Sequence, residues 1–125
     1  MLQKRLPTAE FEIMNTIWSM TEPVTSVQVA EHLTGKPLKQ QTIVTVLSRL
    51  EKKGFLRSVK PGKERNYYVV IDRESYMQFE AQQFRAKFSQ KSAFALMRAF
   101  YGDETLPQEQ IDELRAWLDE RSPSK

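Results

Sequence analysis

The residues best suited to chemistry in this chain form a polar face that could read DNA bases. Residues 39–53, KQQTIVTVLSRLEKK, carry apolar side chains at positions 43, 46, 47 and 50, the spacing of one helix face. On the opposite face, glutamine and arginine can hydrogen-bond base edges, threonine can meet a thymine methyl group, and lysine suits phosphates. The alternative is an ordinary solvated helix face. The predicted DNA-binding residues of this helix are Lys39, Gln40, Gln41, Thr42, Thr45, Arg49 and Lys52.

A basic hairpin is predicted directly after this helix. Residues 55–60 and 65–71 are strand-like, and Pro61-Gly62 is a turn signal between them. Lys60, Lys63 and Arg65 cluster around the turn, where they would contact phosphates or the minor groove and make binding sensitive to salt. A hairpin edge that lysines protect from aggregation is the alternative, and both descriptions can hold.

The charge distribution also indicates a nucleic-acid partner. Residues 36–65 hold nine basic and two acidic residues, a net +7, whereas residues 73–125 hold eight and nine, a net −1; the whole chain is +3. A basic block beside a near-neutral block is typical of nucleic-acid binding.

Several other classes of function are disfavoured. The chain has no cysteine and one histidine, His32, which argues against disulfides, thiolate chemistry and a transition-metal site. We find no catalytic triad, phosphate-binding glycine loop or zinc motif, so an enzyme is not expected and no cofactor is predicted. No apolar run approaches the roughly 20 residues that span a bilayer. The N-terminus lacks a signal-peptide pattern, so a cytoplasmic protein without membrane insertion is expected.

The elements that must position the polar face are three helices and the hairpin. Helices are predicted over residues 8–20, with Thr8 as N-cap, and 25–34, where Thr25 and Gln28 have the form of a capping box. The third helix should end at Gly54 in the left-handed conformation. The fold class is therefore mainly α with a small β-hairpin, a winged helix-turn-helix domain over residues 1–72.

A helical dimerisation domain is predicted over residues 73–125. Asp72 should cap a helix to about residue 91, followed by helices over residues 93–101 and 106–121, the last with Thr105 and Gln108 as a capping pair. About 50 residues are too few to close a core, so a second copy is expected to cover the apolar side chains. A ligand pocket is the alternative. The predicted dimer contacts are Phe79, Phe84, Phe88, Phe94, Leu96, Phe100, Ile111, Leu114, Trp117 and Leu118.

Three segments together resemble the penicillinase repressor family, which represses β-lactamase and methicillin-resistance genes and has copper-responsive relatives. They are LPTAEFEIMNTIW, TIVTVLSRLEKKGFL and ERNYYV, and the resemblance extends over nearly the full chain. It implies a homodimer that represses target operons by binding dyad operator DNA. It also places Gln41, Thr42, Val44 and Thr45 where family members approach bases.

The chain departs from that family at informative positions. Val44 stands where some members carry arginine and Gln41 where some carry lysine, so a different operator preference is expected. The resemblance places the bond cleaved in response to a membrane sensor near Ala99-Phe100, where some members have asparagine before the phenylalanine. A regulatory protease or sensor pathway is thus implied by position alone. The copper-responsive route uses cysteines, which this chain lacks.

Two rival functions remain at this point. Winged helices also serve as protein-interaction adaptors that never read DNA, although the +7 segment argues against this. A small-molecule-sensing regulator with a ligand between its domains would bind DNA through the same helix but respond to a different signal.

Overall fold

The computed structural model describes residues 5–35, 37–88 and 92–123. Lys36 and residues 89–91, around the predicted end of the fourth helix, lie outside these described residues. In chain order the elements are α1 (Thr8–Trp18), α2 (Ser26–His32), α3 (Gln40–Lys52), β1 (Leu56–Val59), β2 (Asn66–Val69), α4 (Arg73–Lys87), α5 (Ala93–Tyr101) and α6 (Gln108–Glu120). This mainly helical order with one hairpin confirms the predicted fold class.

The chain forms two compact units, Met1–Lys87 and Phe88–Lys125. The first compact unit therefore includes α4, while the functional division proposed at residues 72 and 73 stays a prediction. None of the helices in the described ranges combines the length and apolar character required to cross a bilayer.

The hydrophobic core of the first unit lies where the three N-terminal helices meet the hairpin. The helical spacing of apolar residues explains its composition, because each helix turns one apolar stripe inward. The most deeply buried residues of this unit are Ile13, Met14, Ile17, Val24, Val29, Ile43, Leu47, Leu50 and Tyr76.

The hairpin pairs antiparallel, with Leu56 opposite Val69 and Ser58 opposite Tyr67. Val24 joins its edge through two backbone hydrogen bonds with Tyr67, of 3.0 and 2.8 Å. Leu56 and Tyr67 are buried. Because side chains alternate along a strand, Arg57 on β1 and its partner Tyr68 on β2 lie on the opposite, outer face of the hairpin.

Local capping explains where several helices begin and end. The capping box of Thr25 and Gln28 is confirmed, with bonds of 3.2 and 3.0 Å. Gly54 has φ +87°, the left-handed conformation expected after α3. Asp72 accepts a 2.8 Å bond from the Ser75 N–H at the start of α4, which lowers the pKa of the Asp72 carboxyl.

Two predicted caps are wrong, and in both cases a proline precedes the helix. Pro7 is the N-cap residue of α1, so Thr8 is already helical. Pro107 is the N-cap residue of α6, whose first residue is Gln108 rather than Leu106. A residue that precedes proline is disfavoured in the helical conformation, which excludes Leu106 from the helix.

Tyr76 in α4 completes the core of the first unit. Its ring lies 5.6–6.0 Å from the rings of Phe11, Trp18, Phe55 and Phe79. Its hydroxyl accepts a 2.7 Å bond from the Leu6 N–H. Burial, reinforced by the hydrogen bond with Glu80, raises the pKa of Tyr76 to about 12. The beginning of α4 is thus built into the same core as α1.

Candidate nucleic-acid interface

The two sides of α3 differ completely in exposure. Ile43, Val46, Leu47 and Leu50 are buried, as the sequence predicted. The rest of the surface, from Gln40 to Lys52, is exposed apart from the half-buried Glu51. At about 100° per residue, the side chains directly opposite the buried stripe are those of Gln41, Thr45, Ser48 and Lys52.

The remaining candidates of α3 flank this central row. The same helical geometry places Thr42 and Arg49 on one flank, and Gln40 and Val44 on the other. Lys39 is the exposed N-cap residue of α3. The candidates on α3 therefore share one continuous exposed surface.

The start of α3 is fixed to α2. The Gln40 side-chain amide donates a 2.6 Å hydrogen bond to the Ser26 hydroxyl at the first residue of α2. The Thr45 hydroxyl bonds back to the Gln41 carbonyl at 3.0 Å. The two helices therefore form one helix-turn-helix unit, and the Gln40 amide already has a partner within it.

The end of α3 is fixed to α1 by an ion pair between Lys53 and Glu10. The Glu10 side chain is only 7% exposed and that of Lys53 34% exposed. Glu10 is thus a buried carboxylate, and the Lys53 ammonium group balances its charge. The sequence offered no local signal for this pair, since 43 positions separate the partners.

The hairpin is fixed to α3 by a second polar contact chain. The Ser58 hydroxyl of β1 donates to the Glu51 carboxylate of α3, with distances of 2.8 and 2.9 Å to its two oxygens. The same hydroxyl accepts a 3.0 Å bond from the Arg65 guanidinium. A guanidinium carries five N–H donors, so this bond is compatible with a phosphate contact. The hairpin is therefore oriented by α3.

The outer face of the hairpin adds a cation that the site prediction missed. The Arg57 guanidinium lies 4.3 Å from the centre of the Tyr68 ring, its cross-strand neighbour. Arg57 is exposed, as are Lys60 and Lys63 at the turn. Strand alternation was the signal that could have found Arg57, because its neighbours Leu56 and Ser58 face inward. The hairpin therefore carries exposed cations of its own, as α3 does.

The ten predicted dimer contacts are divided between the two units. Phe79 packs against the core of the first unit and Phe84 is half-buried on the same helix. In the second unit, Leu96, Ile111 and Leu114 are half-buried. The strongly exposed members are Phe88, Phe94, Phe100, Trp117 and Leu118.

The second unit leaves much apolar surface exposed. Neither α5 nor α6 contains a buried residue. Phe94 is 71% exposed and Trp117 50%. Ala99 and Phe100, the candidate cleavage residues, are also exposed on α5.

A helix-turn-helix whose second helix presents a polar and cationic face, followed by a basic hairpin fixed to that helix, defines a winged-helix DNA-binding protein. A family model described as penicillinase repressor matches residues 6–120 of the chain. The chain therefore belongs to the penicillinase repressor family, whose members are DNA-binding transcriptional repressors and not enzymes.

Named relatives align over most of this chain. The methicillin resistance regulatory protein MecI of Staphylococcus aureus (strain N315) is 29% identical over 116 residues, 93% of this chain and 94% of the relative. The penicillinase repressor of Bacillus licheniformis is 30% identical over 125 residues, 98% of each chain. The transcriptional regulator BlaI of Mycobacterium tuberculosis (strain CDC 1551 / Oshkosh) is 37% identical over 71 residues, 56% of this chain and 51% of the relative.

Proposed function

We propose that this repressor binds a dyad operator as a homodimer, with α3 of each copy in the major groove and the hairpin on the flanking backbone. The observation that carries the proposal is the complete exposure of the polar face of α3 beside a basic hairpin that Ser58 ties to it. In such a dimer the two α3 helices would enter successive major grooves about 34 Å apart.

The roles of the side chains follow from their chemistry. Long cations at the ends of α3 and on the hairpin would neutralise phosphates and make affinity fall with salt. Glutamine, threonine and arginine along α3 would contact bases and set the operator sequence. The proposed phosphate contacts are Lys39, Lys52, Lys63 and Arg65, and the proposed base contacts are Gln40, Gln41, Thr42, Thr45 and Arg49.

The dimer would form through residues 73–125. The exposure of Phe94, Phe100, Trp117 and Leu118 supports this, because apolar patches on small proteins mark interaction surfaces. A symmetric homodimer also suits a dyad operator, since each copy can read one half-site.

Release from the operator is proposed to follow cleavage of the Ala99-Phe100 bond by a regulatory protease of a sensor pathway. Both residues are exposed on α5, a helix without buried residues that can unwind at modest cost. Protein incubated with induced host extract should yield a fragment ending at Ala99 by mass spectrometry. An intact chain after the same incubation would contradict this release step.

The regulated genes are proposed to be β-lactamase-type or other stress-response genes, which the names of the relatives support. A cytoplasmic location follows from the proposed partner, double-stranded operator DNA.

The test is fluorescence anisotropy with a duplex from the upstream region of the gene and a shuffled duplex, each at two salt concentrations. We expect much tighter binding to the natural duplex with two chains per site. Arg49→Ala should weaken binding or relax one base position by about 1–3 kcal/mol.

Arg115→Ala is the matched control, because it removes an exposed helical arginine of α6. Equal losses in the Arg49 and Arg115 variants would remove Arg49 from the interface. No binding to either duplex at low salt would instead favour the adaptor function.

A further inference from the structure

Val44 is an exposed apolar side chain on the DNA-binding face of α3. It is 43% exposed and does not belong to the buried core. It lies one turn after Gln40 and one turn before Ser48, both polar and exposed. A solitary exposed valine is common on protein surfaces, so exposure alone indicates no function. Its position on a face proposed to enter a DNA groove is what makes it informative.

The major groove offers few apolar partners. Its floor consists of hydrogen-bond donors and acceptors, and the C5 methyl group of thymine is the apolar group that distinguishes one base from the others. We propose that Val44 is a specificity-determining residue that packs on a thymine methyl group of each operator half-site. This inference rests on the proposed function, because it requires α3 to lie in the major groove.

The surroundings of Val44 favour a defined contact. A valine in a helix has one strongly preferred side-chain rotamer, so its two methyl groups point in a fixed direction. The bond from Gln40 to Ser26 fixes the helix turn that precedes it. Gln41 is its i−3 neighbour on the helix surface, and a glutamine can bond adenine in bidentate fashion. Gln41 and Val44 together would therefore favour A·T pairs beneath the N-terminal half of α3.

The same position explains how operator preference would change. A charged side chain at position 44 could bond base edges but has no methyl group to pack on that of thymine. Valine instead favours binding to thymine over cytosine, because cytosine has no methyl group at C5. The chain would thus select by packing at this position and by hydrogen bonding at its neighbours.

The test replaces single thymines with deoxyuridine in the operator, which is first located by footprinting the gene's upstream region. This replacement removes the methyl group and leaves the hydrogen-bonding edges unchanged. At one thymine per half-site, the wild-type protein should lose about fourfold in affinity, roughly the value of burying one methyl group. Val44→Ala changes both copies of the dimer, so it should lose about sixteenfold on the natural operator, the fourfold factor for each half-site, and should respond less than wild type to uracil at that site.

Val70→Ala is the matched control, since Val70 is also exposed but follows the hairpin. This variant should keep the full uracil effect. Two results would overturn the role of Val44 and leave the proposed function standing. One is specific binding in which no thymine-to-uracil replacement lowers affinity, and the other is an equal uracil effect in wild type and Val44→Ala. Failure of the wild-type protein to bind any duplex specifically would overturn the proposed function and this inference with it. Circular dichroism of Val44→Ala should match wild type, because the side chain lies outside the core.

Discussion

The partly buried ion pair between Glu10 and Lys53 should contribute measurably to stability. Replacing Lys53 with methionine leaves the Glu10 carboxylate, 7% exposed, without its cation. Removing one partner of a fully buried pair costs about 3–5 kcal/mol. The Lys53 side chain is 34% exposed and partly screened by solvent, so we expect the free energy of unfolding to fall by about 1–3 kcal/mol.

The assay is urea unfolding followed by far-ultraviolet circular dichroism. Wild type and variants are compared at one protein concentration, because the stability of the proposed dimer would depend on concentration. Lys52→Met is the matched control, since it removes the neighbouring exposed lysine from the same helix end. Its loss should stay within about 0.5 kcal/mol.

The double variant Glu10→Gln/Lys53→Met separates the pair from other effects of the substitution. A neutral amide is easier to bury than an unpaired carboxylate, so part of the lost stability should return. If Lys53→Met were no less stable than Lys52→Met, the ion pair would contribute nothing and the reasoning would be refuted.

Three further predictions concern the core, the hairpin and the dimer. Tyr76→Phe removes the acceptor of the buried Leu6 N–H and should lower the free energy of unfolding by about 1–2 kcal/mol. Because the pKa of Tyr76 is raised from 10.0 to about 12 in the folded state, wild-type stability should fall as pH rises between these values, and urea titrations should show a smaller fall in the variant. Arg65→Ala should reduce the slope of log affinity against log salt by about 1 for each copy, or about 2 for the proposed dimer, on every duplex, and an unchanged slope would remove Arg65 from the phosphate contacts. Trp117→Glu should produce a monomer by light scattering at micromolar concentration, and a persistent dimer would place the interface elsewhere.

The elements near the candidate site could be predicted because their signals are local. The apolar residues of α3 recur at i, i+3, i+4 and i+7, a pattern that only a helix turns to one side. Pro61-Gly62 between two strand-like runs predicts the hairpin in the same way. Thr25 and Thr105 both precede a glutamine by three positions, yet only Thr25 forms a cap. Pro107 explains the difference, because it is itself the N-cap residue of α6 and keeps Thr105 out of that position.

The contacts that orient the site could not be predicted, because their partners are far apart in sequence. Glu10 meets Lys53 across 43 positions, and the Leu6 N–H meets the Tyr76 hydroxyl across 70. Periodicity and capping rules describe neighbours on one element and are silent on such pairs. Phe79 shows the consequence, since it is a predicted dimer contact on α4 and its ring packs against the core of the first unit, beside Tyr76.

The extent of the first unit determines what a cut at Ala99 would leave behind. That unit ends at Lys87 and contains the whole core around Tyr76. A fragment ending at Ala99 would therefore keep the complete DNA-binding unit. Repression would then end through a loss of avidity rather than through unfolding. When two DNA-binding units are linked, the second binds its half-site at a high effective concentration, which raises the affinity by about 10²–10⁴. Two separate units lose this gain. The separated DNA-binding units would still recognise each half-site, but they would dissociate too fast to repress the operon.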